Sequence, residues 1–455
     1  MSAKQKIGNG SENSGILAGV TGYQWAVILI AAAAWAFDCM DARLFILARE
    51  SALTDLLSPG VTDPAVVKTY LGYATTALIL GWATGGIGFG ILSDRWGRVK
   101  TMAAALLVYS VFTGVSGLAV SWVDFVIYRF LVGLGIGGLF GAATTLVAET
   151  VPGNFRPIAL GSLQVLAALG NMAGSLVSLW IQPGAESSYF GLAGWRVLFF
   201  VGILPSLLVI PIAMLLREPE AWMTMRDAAR QGDQTGSVGS PFQLFKDRRW
   251  RRNTIIGLLL GLSGMVGLWG IGFFSPELIT TALEGQPQTR IDEVRAWGTA
   301  GQDVGAFFGM LGFTLIASML SRRLAFAGAF TLSFLTTVYV FNNLDSAADA
   351  YWMLPMMGFA QFSLFAGYSI YFPELFPTKL RGVGVGFCYN TVRYLAAPAP
   401  IVLGWLSTLM SFRTAAALMA GIYVVGAVAL IWAPETKDKP LPEDIEEMDV
   451  QPAAE

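Results

Sequence analysis

Twelve stretches of mainly apolar residues, each near or above the roughly twenty needed to cross about 30 Å of hydrocarbon, recur along this 455-residue chain. They fall at about 23–48, 70–92, 101–121, 123–148, 157–181, 195–216, 254–275, 296–318, 324–341, 351–372, 382–407 and 413–433. Only 13% of residues are charged and 55% are hydrophobic, with a mean hydropathy of +0.59. That is about half the charge of a soluble domain. In lipid every backbone polar group must be satisfied internally, which leaves helices for segments of this length. The expected class is an all-α membrane protein with twelve transmembrane helices.

The longest polar interruption, Arg217 to Asn253, holds Gly232, Gly236, Gly239 and the run from Lys246 to Arg252. It divides the chain into a tail (1–22), a six-helix half (23–216), a linker (217–253), a second six-helix half (254–433) and an acidic tail (434–455). The apolar segment from Tyr23 is too long for a signal-peptide core and lacks an obvious cleavage site, so it reads as a retained span. With the N-terminus placed in the cytoplasm, 20 of the 29 Lys and Arg residues lie on the cytoplasmic side and six on the other. The positive-inside rule then puts both termini in the cytoplasm, in a membrane expected to be a bacterial inner membrane.

An internal repeat supports the division. Glu149, Pro152 and Arg156 follow span four, and Glu374, Pro377 and Arg381 follow span ten, both as E-x-x-P-x-x-x-R with an offset of 225 residues. Two pseudo-symmetric halves with a site near the midplane are the usual build of secondary transporters.

Histidine is absent, which excludes a Ser-His-Asp triad, a histidine metal site and an imidazole proton relay. Cys39 and Cys388 both sit in apolar stretches and form no disulfide framework. A net charge of −2 gives no reason to expect a nucleic-acid partner. No metal, cofactor or ATP motif is expected, and the chain does not read as an enzyme. The expected partners are the bilayer, a small molecule and protons, with the protein acting as a monomer.

Ionisable groups inside spans are costly and are functional candidates by default. They are Asp38, Asp41, Arg43, Arg129, Asp303 and Arg393. At a rise of about 1.5 Å per residue, Asp38 lies roughly 21 Å, Asp41 roughly 25 Å and Arg129 roughly 27 Å from the inner face. The spacing i, i+3 puts Asp38 and Asp41 on one helix face. Arginine favours ionised carboxylates, whereas desolvation and mutual repulsion favour the protonated form. The three can therefore form a proton switch, or a static buried pair that fixes packing. Arg393 lies roughly 16 Å up and Asp303 roughly 22 Å, so Arg393 can bind an anionic ligand or pair with Asp303. Gln164, Asn171, Gln361, Asn390 and the ring of Tyr389 are further candidates to line a cavity, as are Trp35, Trp269 and Tyr368.

The loop after span two reads Gly90-Ile-Leu-Ser-Asp94-Arg95-Trp-Gly97-Arg98. Asp94 lies where spans three, five and eleven begin, and a carboxylate beside a helix N-terminus is favoured there. Gly86 and Gly90 let span two approach a neighbour closely. The equivalent loop of the second half keeps Arg322 and Arg323 but has Ser318 or Met319 in place of the acid, which suggests a single acidic latch.

This loop resembles the G-x-L-x-D-R-x-G-R signature of the major facilitator superfamily. Arg129-x-x-x-Gly133, Gly194-Trp195-Arg196, Glu218-Pro219-Glu220 and Pro434-Glu435-Thr436-Lys437 resemble motifs of its sugar-porter and metabolite:proton symporter branches. The resemblance runs from about Tyr23 to Leu441. It implies that Gly90, Asp94, Arg95, Gly97, Arg98, Glu149, Arg156, Glu374 and Arg381 latch the two halves together. The Asp38-x-x-Asp41 pair resembles the first span of aromatic-acid and sialate:proton symporters, and Asp41 is the nearer match to the aspartate that partners the span-four arginine in sugar porters. Asn390-x-x-Arg393 resembles the organic-acid symporters. The reading is a proton-coupled symporter of a small organic anion, with a sugar or polyol carrier as the alternative. A drug exporter and a non-transporting nutrient sensor rank below both.

Overall fold

In a computed structural model that describes residues 20–57, 64–181, 183, 188–189, 191–231 and 240–442, all twelve stretches are helical. Most of the N-terminal tail, the three linker glycines and the acidic residues beyond 442 lie outside the described residues.

The first half comprises α1 (Gly22–Leu56), α2 (Pro64–Trp96), α3 (Arg98–Ser116), α4 (Trp122–Thr150), α5 (Arg156–Trp180) and α6 (Gly194–Leu215). The second comprises α7 (Arg248–Ala282), α8 (Gln288–Met319), α9 (Arg322–Asn343), α10 (Ala347–Glu374), α11 (Arg381–Ala396, resuming over Ala399–Leu409) and α12 (Phe412–Ala429). Among the described residues, ten helices are long and apolar enough to cross a membrane on their own. The other two, α10 and α11, carry the polar and helix-breaking residues: Pro355, Gln361 and Pro373 in one, four glycines, Asn390 and Arg393 in the other. Both are largely buried inside the bundle, where neighbouring helices replace lipid.

Local signals explain where helices start. Thr21 and Gln24 form a reciprocal capping box at α1, and Ser121 and Asp124 form another at α4. The chain enters α7 at Arg248 rather than near 254, because the Asp247 carboxylate accepts from the backbone amides of Arg249 (2.7 Å) and Trp250 (3.3 Å). The arginine run expected in the linker is therefore helical. Pro398 lacks the amide that would continue α11 and coincides with its break. Among the described residues, the one departure from an all-α fold is a two-residue antiparallel ladder, Ser188–Tyr189 with Leu192–Ala193.

Within the first half α2 packs on α4 and α1 on α5; within the second α8 and α9 pack on α10. Two seams join the halves, α2 with α11 and α5 with α8, and exchanging the halves converts one seam into the other. At the α2/α11 seam the backbones nearly touch. A Cβ on Gly386 would lie 2.2 Å from the carbonyl oxygen of Gly86, so no larger residue fits without separating the helices.

Candidate functional site

One end of the bundle is closed by a buried network of charges. The carboxylate of Asp94, at the end of α2, accepts from the backbone amides of Gly382 (2.9 Å) and Val383 (2.8 Å) at the start of α11. It also pairs with Arg98 at 3.0 Å. The helix Asp94 meets is thus α11, one of the three whose starts the sequence placed near it. Arg98 bridges to Glu149 through two hydrogen bonds of 2.9 and 3.0 Å and reaches the Thr378 carbonyl at 2.7 Å. Glu149 also pairs with Arg381 of the opposite half, and the side chains of Arg98, Glu149 and Arg381 are all fully buried. Gly97 holds φ at 115°, and a Cβ there would strike the Glu218 carboxylate. Arg95 is exposed at the surface of this end.

The second half repeats only part of this. Arg322 pairs with Glu374 at 3.0 Å, as Arg98 does with Glu149. Arg156 donates to the Ala148 carbonyl at 2.9 Å, as Arg381 does to that of Pro373 at 3.1 Å. Two acids missed as network members complete the pattern. Glu218 accepts from the amides of Arg98 (2.6 Å), Val99 and Lys100 at the start of α3, and Glu435 accepts from those of Arg322 (3.1 Å) and Arg323 (3.2 Å) at the start of α9. Their signal was an acid one residue from a proline after α6 and after α12. Glu435 lies outside the spans. Partial burial pushes its carboxyl up, but the Ser321 hydroxyl and the amides of Lys437, Arg323 and Arg322 outweigh it and hold the group below the ordinary glutamate value.

Nearer the middle, Asp38 and Asp41 of α1 and Arg129 of α4 are all buried, at 2%, 1% and 0% exposure. Arg129 donates to the Ser116 hydroxyl and lies against the rings of Phe199 (4.7 Å), Phe45 (5.4 Å) and Phe125 (5.6 Å). It is the cation acting on Asp41, with Thr113 alongside, yet no carboxylate comes within ion-pair distance of it among the described residues. This is not a contact ion pair. Both Asp41 oxygens are buried without a hydrogen-bond donor in standard geometry.

Arg393 lies across the α1/α11 gap as the cation acting on Asp38. Its guanidinium rests 3.7 Å from the ring centroid of Trp82 and 5.2 Å from that of Tyr389, and its Nε donates weakly to Asn390 at 3.4 Å. Asp303 does not pair with it. That carboxylate bonds Arg43 at 3.1 Å, so the pairing considered from depth alone does not form. Tyr389 stacks on Phe140 at 3.9 Å, Phe140 lies 5.1 Å from Trp35, and the Trp35 indole donates to Gln164 at 3.1 Å. Asp38, Gln164, Tyr389, Asn390 and Arg393 therefore belong to one group that spans both halves, and Trp82, Trp35 and Phe140 complete it.

Other candidates lie elsewhere. Gln361 bonds Thr337 at 2.9 Å inside the second half, and none of its hydrogen bonds reaches the Arg393 group. Asn171 is half-buried on α5. The Tyr368 hydroxyl donates to the Leu260 carbonyl at 2.8 Å, a packing role. Among the described residues no cluster of three or more metal-binding side chains occurs.

The family model of the Major Facilitator Superfamily matches residues 16–399. The cis,cis-muconate transport protein of Acinetobacter baylyi is 30% identical over 80% of this chain and 84% of its own. The sialic acid transporter NanX of Escherichia coli is 26% identical over 82% of this chain and 85% of its own. Among solved structures, the proton:xylose symporter XylE bound to 6-bromo-6-deoxy-D-glucose superposes with a TM-score of 0.76 over 92% of this chain and 98% of its own, at 18% identity.

Proposed function

Given that the chain belongs to the Major Facilitator Superfamily and is one of its membrane transporters, we propose that it carries a small organic anion together with protons by alternating access. The observation that carries the anion reading is Arg393. Its guanidinium is buried in a group shared by both halves, stacked on Trp82, and no carboxylate lies within ion-pair distance among the described residues. A guanidinium is a planar fork that can bind a carboxylate through two parallel hydrogen bonds. Two relatives are named for muconate and for sialic acid, both carboxylic acids, which agrees with this choice.

Asp41 and Asp38 are the proton carriers in this reading, since the chain has no histidine. Asp41 faces Arg129 across a gap, and Asp38 faces Arg393. Protonation at Asp38 thus alters the charge that a bound anion meets. The two halves, 23–216 and 254–433, rock about this midplane group. The network around Asp94, Glu149 and Arg381 latches one end, and the basic loops put that end in the cytoplasm of a bacterial inner membrane, with both termini inside. The transporter works as a monomer.

A sugar or polyol carrier is the second reading, favoured by the amide of Gln164 beside the Trp35 indole. Uptake into proteoliposomes under an imposed proton gradient separates the two. Radiolabelled aromatic and aliphatic carboxylates should accumulate in an acid-outside gradient, with sugars excluded. Uptake of sugars alone would overturn the anion reading.

A further inference from the structure

Where α7 and α12 meet at the latch end lies a groove of about 480 Å³ lined by Arg248, Arg251, Arg252, Ile256, Leu259 and Trp432. Its mouth and its wall differ in chemistry. The three arginines occupy the first turn and a half of α7 and are all exposed. Below them the lining is apolar, with Ile255 46% and Trp432 54% exposed on a surface that faces lipid in a membrane protein. Arg252 is fixed by donating to the Trp432 carbonyl at 2.8 Å, which ties α7 to the end of α12. Among the described residues none of the three arginines has a carboxylate within ion-pair distance, whereas Arg98, Arg322 and Arg381 at the same end each pair with one.

We propose that this groove binds an anionic phospholipid, with the phosphate between Arg248 and Arg251 and an acyl chain along Ile255, Leu259 and Trp432. A soluble anion would use the arginines and leave the apolar wall unexplained. An uncharged lipid would do the reverse. Only a molecule with a negative head on an apolar chain uses both, and each basic residue near a membrane surface strengthens such binding about fivefold. The indole at the rim suits the same boundary, where one edge is apolar and the other wet.

The test uses the full-length protein in phosphatidylcholine vesicles containing one-tenth phosphatidylglycerol brominated on its acyl chains. Bromine quenches nearby tryptophan, and Trp432 is in the groove. Quenching should exceed that from brominated phosphatidylcholine at the same fraction, and Trp432→Phe should remove most of the excess. The double variant Arg248→Gln/Arg251→Gln, which touches no hydrogen bond described above, should lower the apparent preference for phosphatidylglycerol about 25-fold. Arg226→Gln, on the helix Glu220–Gln231, should retain it. Three results would overturn the proposal: an unchanged preference in the double variant, loss of the excess on adding inorganic phosphate alone, or a preference that emerges only after residues 443–455 are deleted. The last would make the acidic tail the occupant.

Discussion

Arg43 of α1 and Asp303 of α8 form an ion pair of 3.1 Å across the two halves, and this contact releases Arg393 from any pairing with Asp303. Their side chains are 29% and 52% exposed, so the pair is screened and contributes about 0–1 kcal/mol. Asp303→Asn should therefore lower the thermal midpoint slightly and leave carboxylate binding intact. A loss of ligand-induced stabilisation as large as that in Arg393→Ala would mean that Asp303 acts on the anion site.

Arg393→Ala removes both the charge and the surface stacked on Trp82. It should abolish the thermal shift produced by carboxylates while neutral ligands are unaffected. Arg393→Lys keeps the charge but not the planar fork or the stack, and an expected loss of about 1–3 kcal/mol of binding corresponds to roughly 5- to 150-fold in Kd. Equal losses for anionic and neutral ligands in Arg393→Ala would make the residue structural.

These two positions also mark what the sequence could and could not reveal. The rise of a helix converts residue number into depth, so the sequence alone suffices to assign Asp38, Asp41 and Arg129 to similar levels. Azimuth is not encoded that way. Which face of α8 carries Asp303, and which neighbour it meets, depends on the packing of α5 against α8, and depth alone left Arg393 and Asp303 free to pair. For the same reason Trp82 went unnoticed beneath Arg393, because a tryptophan in an apolar span carries no signal of its partner. The buried charge network around Asp94 was more legible, since its motif fixes Asp94, Gly97 and Arg98 at short spacing around a tight turn. The capping roles of Glu218 and Glu435 were hidden because each acts on a helix start more than a hundred residues away.

Asp94 holds the N-terminus of α11 through two amides, and Gly386 allows α2 and α11 to approach. Asp94→Asn keeps one acceptor oxygen but loses the charge that meets Arg98 and the helix end, costing about 1–3 kcal/mol of the latched form. Gly386→Ala should act in the same direction by steric means. Spin labels at positions 95 and 379 report the separation of the halves. Both variants should shift that distance distribution to longer values, and an unchanged distribution in both would show that the latch does not set the conformational equilibrium.

Glu435 offers a test of pH dependence away from the membrane. Its carboxyl is held below the ordinary glutamate value by the Ser321 hydroxyl and backbone amides, against the opposing effect of burial. A depressed native value means that the ionised group stabilises the fold. That stabilisation is fully present above about pH 4.3 and disappears as the pH falls through the lower native value. Wild-type protein should thus lose stability across that acid window more steeply than Glu435→Gln, and the two midpoint-against-pH curves should converge at low pH. Parallel curves would show that Glu435 is not held ionised by its cap on α9.

Asp41→Asn tests the proton switch directly. Asp41 is buried, lacks a hydrogen-bond donor in standard geometry, and faces Arg129 without forming a contact pair. Asparagine has nearly the same shape and cannot release a proton, so binding and the rocking motion should survive while coupling fails. Counterflow exchange of labelled against unlabelled substrate should continue at a rate within severalfold of wild type. Accumulation driven by an imposed proton gradient should vanish, because substrate and proton no longer move together. Asp38→Asn provides the comparison, since Asp38 faces Arg393 and the proposed anion site instead. If Asp41→Asn still accumulates substrate uphill and Asp38→Asn does not, the proton travels on Asp38. If both accumulate, the carboxylates of α1 form a fixed structural pair and the coupling must be sought elsewhere.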